Sequence, residues 1–300
     1  MAEDIRDKPS LDHEDILRLN FIRDPGPYVF RRYPRHGLRS HILEVLDPHE
    51  LEREKTGIVI KGIRWFPRAR PLKMLRIFRT KFPDLGEAFE EIRKVKIIES
   101  YLAPDYLATS NEFLVDYQGG DGYSLILCGL QEYVEGEVLD PWSDLDARHL
   151  AELLRRMKAR PYEGPETDLE ASIRHVQKKA EGFVERIKKM ILETHYVPDL
   201  AGVQNLLLTP QGDIKLVDIN NISEVTFERF IDTDDKGYPI CDKSIEALAF
   251  LEEKLLVRPI DREEPLYRIY LDPLRVEAVT AIQKAFHLAM EKEFPVATAP

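Results

Sequence analysis

The sequence contains little cysteine. Only Cys128 and Cys241 occur among 300 residues, and each stands in an apolar context. Two cysteines so far apart indicate neither a disulfide framework nor a thiolate metal site. We therefore expect both to be reduced residues of a hydrophobic core.

Long apolar runs are also missing. No stretch approaches the 18 uninterrupted apolar residues that a membrane-spanning helix needs, and no repeat of solenoid length is visible. Residues 1–8 are polar and acidic, whereas a secretory signal begins with positive charge and continues into an apolar run. These absences predict a cytoplasmic protein without a transmembrane segment.

Positive charge is in deficit over most of the chain. Lys and Arg number 43 against 54 Asp and Glu, which gives a net charge of −11. A surface of this sign repels phosphate backbones, so a nucleic-acid partner is disfavoured. Residues 57–83 are the exception, because they carry eight Lys or Arg and no acid. We interpret this basic segment as a solvated helix face or as a surface that docks a polyanion or anionic lipid.

Strand and helix patterns alternate in the first half of the chain. The first twenty residues, through the stretch 12–19, predict a short helix ahead of the fold, and residues 57–63 predict a buried strand. Apolar residues spaced three or four apart predict a helix over 87–102. The glycine-rich stretch 118–122 then joins two strands as a hairpin.

Helical patterns dominate the second half. Further helices are predicted over residues 145–157, 169–193, 243–256 and 275–293. We therefore expect an N-terminal extension over residues 1–27, a β-rich lobe over 28–135 and a mainly helical lobe over 136–300.

The chemistry-bearing residues concentrate in segment 197–220. Asp199, Asn205 and Asp218 flank two short apolar runs, 206–208 and 214–217, separated by a turn sequence. Because the two runs predict a paired hairpin, all three side chains can project into one cleft. Hard oxygen ligands of this kind suit the divalent cation of a bound nucleotide.

The block from Asn205 to Asp218 resembles the protein-kinase-like superfamily, which includes protein kinases and the aminoglycoside and choline kinase-like small-molecule kinases. The resemblance implies a two-lobed α+β fold that uses ATP and Mg²⁺. Asn205 and Asp218 would hold Mg²⁺, and Asp199 would orient or deprotonate the acceptor.

The resemblance extends more weakly to the first half. The apolar run ending at Lys61 is similar to the family's strand whose lysine holds nucleotide phosphates. The helix over 87–102 stands where the family's lysine-pairing glutamate lies, with Glu91 or its neighbour Glu90 in that role. Glu132 and Val134 would offer main-chain groups to adenine. In the second half, Asp242 would begin a buried helix that buttresses the catalytic loop.

Several positions depart from the pattern of the kinase-like family, and these departures bear on the function. No Gly-x-Gly-x-x-Gly precedes Lys61, a Val-Pro pair replaces His-Arg before Asp199, and Asp199 lies six residues before Asn205 where the kinase pattern has five. Only 23 residues separate Asp218 from Asp242, which is too short for a peptide-docking activation segment. The sequence therefore favours a phosphotransferase acting on the alcohol group of a small molecule. The alternative is a pseudokinase, a nucleotide-binding or protein-binding regulatory module without phosphoryl transfer.

Overall fold

The computed structural model describes residues 4–19, 22, 26–34, 39–119, 122–158, 168–219 and 221–293. The protein is a mixed α+β structure that divides into two compact units. The first unit comprises Met1–Arg93 and Ala108–Tyr133, and the second comprises Lys94–Leu107 and Val134–Pro300.

The first unit is built on an antiparallel sheet. Its elements are α1 (His13–Leu17), β1 (Val29–Arg32), β2 (Ser40–Leu46), α2 (Pro48–Thr56), β3 (Ile58–Ile60), β4 (Ile63–Trp65), β5 (Lys73–Phe78), α3 (Leu85–Leu102), β6 (Ser110–Gly119) and β7 (Gly122–Glu132). The C-terminal part of α3 belongs to the second unit. Five strands form the main sheet in the order β1-β2-β5-β7-β6. The predicted hairpin around residues 118–122 is present as β6 and β7, although residues 120–121 of its turn lie outside the described residues.

One face of this sheet carries the core of the first unit. Alternate residues of the strands, including Leu43, Leu75, Ile77 and Ile126, are buried in a single hydrophobic cluster. This is the period-two pattern of a sheet with one packed face.

Residues near the N-terminus complete that core. We expected an extension over residues 1–27, but Ile5, Leu11, Ile16 and Leu19 are buried in the same cluster as the strands. Arg6 also donates a hydrogen bond from Nη1 to the Leu125 carbonyl of β7 at 3.0 Å. The segment is therefore part of the first unit, because its apolar side chains cover the sheet.

The prediction of a buried strand over residues 57–63 is wrong. The segment is a tight hairpin in which β3 and β4 pair with each other, and Lys61 and Gly62 form its turn. Both turn residues have positive φ, 48° and 81°. That geometry suits glycine and ends a strand, which places Lys61 in an exposed turn.

The central strand β5 lies instead inside the basic segment. It pairs with β2 on one side and β7 on the other, and Arg76 is buried within it. The charges of Lys73 and Arg76 interrupt the apolar pattern of this strand, so the sequence did not predict it.

The second unit is mainly helical. After the C-terminal part of α3 come β8 (Glu137–Val138), α4 (Ala147–Lys158), α5 (Leu169–Thr194), β9 (Tyr196–Pro198), β10 (Leu206–Leu208), β11 (Ile214–Leu216), β12 (Ile222–Glu224), α6 (Ile240–Leu256), α7 (Pro265–Tyr270) and α8 (Pro273–Glu293). Its core collects buried residues of α3, α5 and α6, such as Ile98, Ile187 and Leu248.

The four helices predicted in this half are confirmed within a few residues at each end. The periodic spacing of their apolar residues predicts them because each helix buries one face. Among the helices described, none is long and apolar enough to cross a lipid bilayer.

Candidate functional site

Two small sheets of the second unit hold the site. Strand β10 pairs with β11, and β9 pairs with β12. The segment 199–205 connects β9 to β10, and residues 217–219 lead from β11 towards β12. The predicted hairpin is therefore present, and its ends bring Asp199, Asn205 and Asp218 into one region.

Asp199 organises the loop that follows it. Its Oδ1 accepts hydrogen bonds from the backbone N–H groups of Ala201 at 3.0 Å and Gly202 at 2.9 Å. This is the turn that an aspartate makes with the main chain two and three residues ahead. Both bonds use the same oxygen, and the Asn205 side chain also interacts with the carboxylate.

Asn205 closes the same loop from its other end. The side-chain amide nitrogen Nδ2 donates to the Asp199 carbonyl at 2.9 Å, which leaves Oδ1 as the acceptor atom of the amide. A Cβ at Gly202 would overlap Nδ2 of Asn205, so a larger residue there would displace the amide. Asn205 is buried, as bracing of the loop demands.

Asp218 is tied to Asn205 through the main chain. The Val217 N–H donates to the Asn205 carbonyl at 2.8 Å, and Asp218 follows directly. Asp218 is also close enough to Asp199 for their charges to interact.

The surroundings of Asp199 raise its pKa, which means that they favour the protonated form of its carboxyl group. Burial raises the pKa of Asp199 to about 6, and the charge of Asp218 pushes in the same direction. The N–H groups of Gly202 and Ala201 and the Asn205 amide oppose the rise. Desolvation therefore dominates, and Asp199 titrates near the range in which a general base works.

The donor set fits a hard cation only in part. An amide oxygen from Asn205 and a carboxylate from Asp218 are ligands that Mg²⁺ accepts beside water and phosphate oxygens. Within the described ranges, no group of three or more His, Cys, Asp or Glu is placed to hold a metal ion. A cation at this loop would therefore need oxygen atoms from a bound ligand.

Two side chains that sequence reasoning missed hold the loop in place. The Leu200 N–H donates to the Ser244 hydroxyl oxygen of α6 at 3.2 Å. The Trp142 indole N–H donates to the Ala201 carbonyl at 2.9 Å. Lys243 Nζ lies 4.3 Å from the centroid of the Trp142 ring and holds the indole on α6. No spacing rule points to these contacts, because they join residues about forty or more positions apart.

Among the described residues Asp242 contacts α8, and its expected role as a buttress of the loop stays a prediction. Its carboxylate pairs with Arg275 of α8, with Nε to Oδ1 at 2.5 Å and Nη2 to Oδ2 at 3.0 Å. Burial raises the pKa of Asp242, and the Arg275 guanidinium offsets part of the rise. Asp242 thus links α6 to α8, and Ser244 contacts the loop.

Tyr238 borders the site and was also missed. Burial raises the pKa of Tyr238 to about 12, and the charge of Asp199 adds to the rise. Its hydroxyl oxygen accepts a hydrogen bond from Gln283 Nε2 at 3.3 Å, so the hydroxyl proton is free to point elsewhere. Tyr238 is therefore a neutral donor near Asp199.

The residues predicted to bind the nucleotide from the first unit differ in exposure and in their ion pairs. Lys61 is exposed in its turn, and within the described part of the chain no ion pair joins it to Glu90 or Glu91. Glu90 is exposed and pairs with Arg93 at 2.7 Å, whereas Glu91 is half-buried. Arg76 on β5, not Lys61, is the buried cation of the sheet.

The predicted adenine contacts lie at the end of β7 and just beyond it. The Glu132 N–H donates to the Thr109 carbonyl at 2.9 Å, and the Thr109 hydroxyl donates to the Glu132 carboxylate at 2.8 Å. Val134, the first residue of the second unit's main segment, is half-buried.

These features define a mixed α+β protein with an acidic loop site on a small hairpin of its helical unit. No protein-family model matches the chain, and no curated protein matches it.

Proposed function

We propose that the protein is an ATP- and Mg²⁺-dependent phosphotransferase of kinase-like fold that acts on the alcohol group of a small molecule. The observation that carries the proposal is the convergence of Asp199, Asn205 and Asp218 on the hairpin of the second unit. The resemblance of segment 205–218 to the kinase-like superfamily supplies the reaction type.

Asp199 is assigned the role of base. Its pKa of about 6 leaves it ionised above neutral pH, while the low-polarity surroundings that raise this pKa strengthen its pull on a hydroxyl proton. The carboxylate is oriented by the N–H groups of Ala201 and Gly202, so little reorganisation is needed when an acceptor binds.

Asn205 and Asp218 are assigned to the cation. Mg²⁺ would neutralise the developing charge on the transferred phosphoryl group. The two residues contribute a fixed amide oxygen and a carboxylate, since the Asn205 side chain is locked to the Asp199 carbonyl.

The nucleotide contacts follow from the resemblance. The main chain of Glu132 and Val134 is assigned to adenine, and Glu91 to orienting a phosphate-binding cation. Lys61 remains the family-based candidate for that cation, and Arg76 is a second candidate because it is buried on a strand of the main sheet. If Arg76 acts in place of Lys61, the Lys61→Ala variant will bind ATP as tightly as the unaltered protein.

A thermal-shift titration with ATP, with and without Mg²⁺, tests the proposal. A ligand at about 100 times its dissociation constant stabilises the native state by about 2.7 kcal/mol. We expect a Mg²⁺-dependent rise in melting temperature that is lost in Asp218→Asn. The matched control is Asp213→Asn, which changes an aspartate at the turn of the same hairpin, where it pairs with Lys179. No shift at millimolar nucleotide, or a shift retained by Asp218→Asn, overturns the site.

Transfer itself requires a second measurement. Screening hydroxyl-bearing metabolites with γ-labelled ATP should find an acceptor whose phosphorylation rises with pH through about 6 and is lost in Asp199→Asn.

The pseudokinase alternative is favoured by one observation. Asp199 already binds two backbone N–H groups, which is also the arrangement of a purely structural loop aspartate. Nucleotide binding that survives in Asp199→Asn, without transfer to any acceptor and without ATP hydrolysis, would select this alternative.

A further inference from the structure

The β3–β4 hairpin of the first unit is not part of the main sheet. Its strands pair only with each other among the described elements, with Ile58 opposite Trp65 and Ile60 opposite Ile63. A two-stranded hairpin of three residues a side gains little stability from its own pairing. Arg64 fastens it to the end of α2 by donating from Nη1 to the Thr56 carbonyl at 2.7 Å.

The hairpin presents large apolar side chains to solvent. The exposed fractions are 71% for Ile63, 63% for Val59, 59% for Phe66 and 45% for Trp65. Exposed apolar residues scattered singly are ordinary, but four within eight positions of one hairpin form a patch, with Ile63 and Trp65 on one face and Val59, opposite Arg64, on the other. Such a patch indicates an interaction surface.

Positive charge surrounds the same patch. Lys61 occupies the tip of the hairpin and Arg64 the adjacent strand, and both are exposed. Arg68 follows at 62% side-chain exposure, with one of its nitrogens on Glu44. The neighbouring acids Glu50 and Glu54 are engaged with Arg53 and Arg31. Residues 57–83 themselves contain no acid.

We propose that the β3–β4 hairpin docks the protein on a bilayer surface that contains anionic lipid. Cations at the level of the headgroups together with aliphatic and indole side chains that enter the interface are the combination that peripheral membrane segments use. This inference shares only Lys61 with the residues assigned to the proposed phosphotransferase activity, and vesicle binding is measured without nucleotide, so either can fail without the other.

The apolar residues decide between lipid and nucleic acid. A polyanion such as RNA would be attracted by Lys61 and Arg64 but would leave Ile63 and Val59 in water, since aliphatic side chains offer it neither stacking nor hydrogen bonds. The net charge of −11 opposes any anionic surface. Screening confines that repulsion to about 8 Å at physiological ionic strength, so the local cations dominate at contact.

Co-sedimentation of the full chain with vesicles tests the proposal. We expect binding to phosphatidylcholine vesicles with about a third phosphatidylserine. The affinity for vesicles of phosphatidylcholine alone should be at least about tenfold lower, because each basic residue near an anionic surface contributes about fivefold. Raising the salt concentration should weaken the binding.

Two variants separate the contributions. Lys61→Glu should reduce binding to the anionic vesicles at least about fivefold. The double variant Ile63→Ser, Trp65→Ser should reduce it at least about tenfold with its charge intact. The matched controls are Lys178→Glu on α5 and Tyr123→Ser on β7, both exposed and in elements other than the hairpin, and both should bind as the unaltered protein does. Unchanged melting temperatures will show that the variants are folded.

A fluorescence measurement reports insertion directly. Brominated phosphatidylcholine in the anionic vesicles should quench the fluorescence of Trp65, and Trp65→Phe should remove that quenching while Trp142 remains. Absence of vesicle binding overturns the proposal. Equal binding by the Ile63→Ser, Trp65→Ser variant also overturns it, as does tighter binding to a single-stranded oligonucleotide that Lys61→Glu abolishes.

Discussion

Asp199 is held in surroundings that disfavour its own charge. The loop from Asp199 to Asn205 is closed by hydrogen bonds at both ends, and this closure holds the half-buried Asp199 within range of the Asp218 charge. An ionised Asp199 in these surroundings lowers the free energy of unfolding, and the same surroundings raise its pKa. Perturbed carboxylates of this kind cluster at functional sites, which is the physical argument for a role of the loop.

The raised pKa predicts how stability depends on pH. The folded protein binds a proton at Asp199 up to about pH 6, whereas the unfolded chain releases it near 3.8. The unfavourable contribution is therefore absent below about pH 4, grows between about pH 4 and 6 and stays constant above. Asn at this position keeps the Oδ1 acceptor but carries no charge. At about pH 7.5, Asp199→Asn should be more stable than the unaltered protein by about 2 kcal/mol. Near pH 4 the two proteins should be equally stable.

Urea unfolding of both proteins at the two pH values measures this difference. Asp213→Asn is the control, because it removes a favourable ion pair with Lys179, whose pKa Asp213 raises, and it should therefore show no such gain at about pH 7.5. A destabilised Asp199→Asn at the higher pH would mean that the charge itself holds the loop together.

At the scale of elements, α6 connects the site to the rest of the helical unit. Ser244 in its first turns contacts the loop, and Asp242 two residues earlier pairs with Arg275 at the start of α8. Arg275 also donates from Nη1 to the Glu228 carbonyl at 2.8 Å and lies over the Tyr270 ring. One buried guanidinium thus joins two helices and a loop.

Removal of Arg275 should be costly. Arg275→Met leaves the Asp242 carboxylate buried without its counter-charge, and breaking a buried pair in this way costs about 3–5 kcal/mol. Because burial already raises the pKa of Asp242, the loss should be greatest at neutral pH and smaller under acid conditions, where the carboxyl is protonated.

Denaturant midpoints of Arg275→Met and of the double variant with Asp242→Asn check this prediction. The second substitution removes the buried charge and should recover part of the loss. Arg268→Met on α7, where the arginine is exposed, is the control and should change stability by less than about 0.5 kcal/mol. A cost for Arg275→Met as small as that of the control would show that the pair contributes nothing.

The helices and strands differ in how well the sequence predicts them. Helices such as α5 and α6 were predictable because a packed helix repeats its apolar residues every three or four positions. The β10–β11 hairpin was predictable from its two apolar runs and the turn between them. Strand β5 was not, because Arg76 is buried in the sheet where the pattern leads one to expect solvent.

The candidate site was predictable to a similar degree. The spacing of Asn205 and Asp218 predicts the hairpin on which they and Asp199 lie near one another, whereas their assigned roles stay predictions. The contacts of Trp142, Ser244 and Tyr238 were not predictable, because they depend on how distant segments pack and leave no local pattern.

At the scale of the whole molecule, each compact unit has a core of its own. The core of the first unit includes side chains from the first twenty residues, and the core of the second lies among its helices. Ile16 and Leu19 have almost no exposed surface, so the N-terminal segment supplies apolar burial that the sheet alone lacks. Burying one such side chain contributes about 1.5–3 kcal/mol.

The last prediction concerns this N-terminal segment. Ile16→Ala should destabilise the first unit by about 2–5 kcal/mol, a large part of the stability of an ordinary domain. Hydrogen exchange measured by mass spectrometry should become faster in peptides from β2 and β5, while peptides from α5 and α6 keep their protection, because the cavity opens only in the core of the first unit. Glu14→Ala changes an exposed residue of the same helix and should leave both sets unchanged. Unaltered exchange in β2 and β5 of Ile16→Ala would show that residues 4–19 do not stabilise the sheet, whereas equal acceleration in α5 and α6 would show that the two units unfold together.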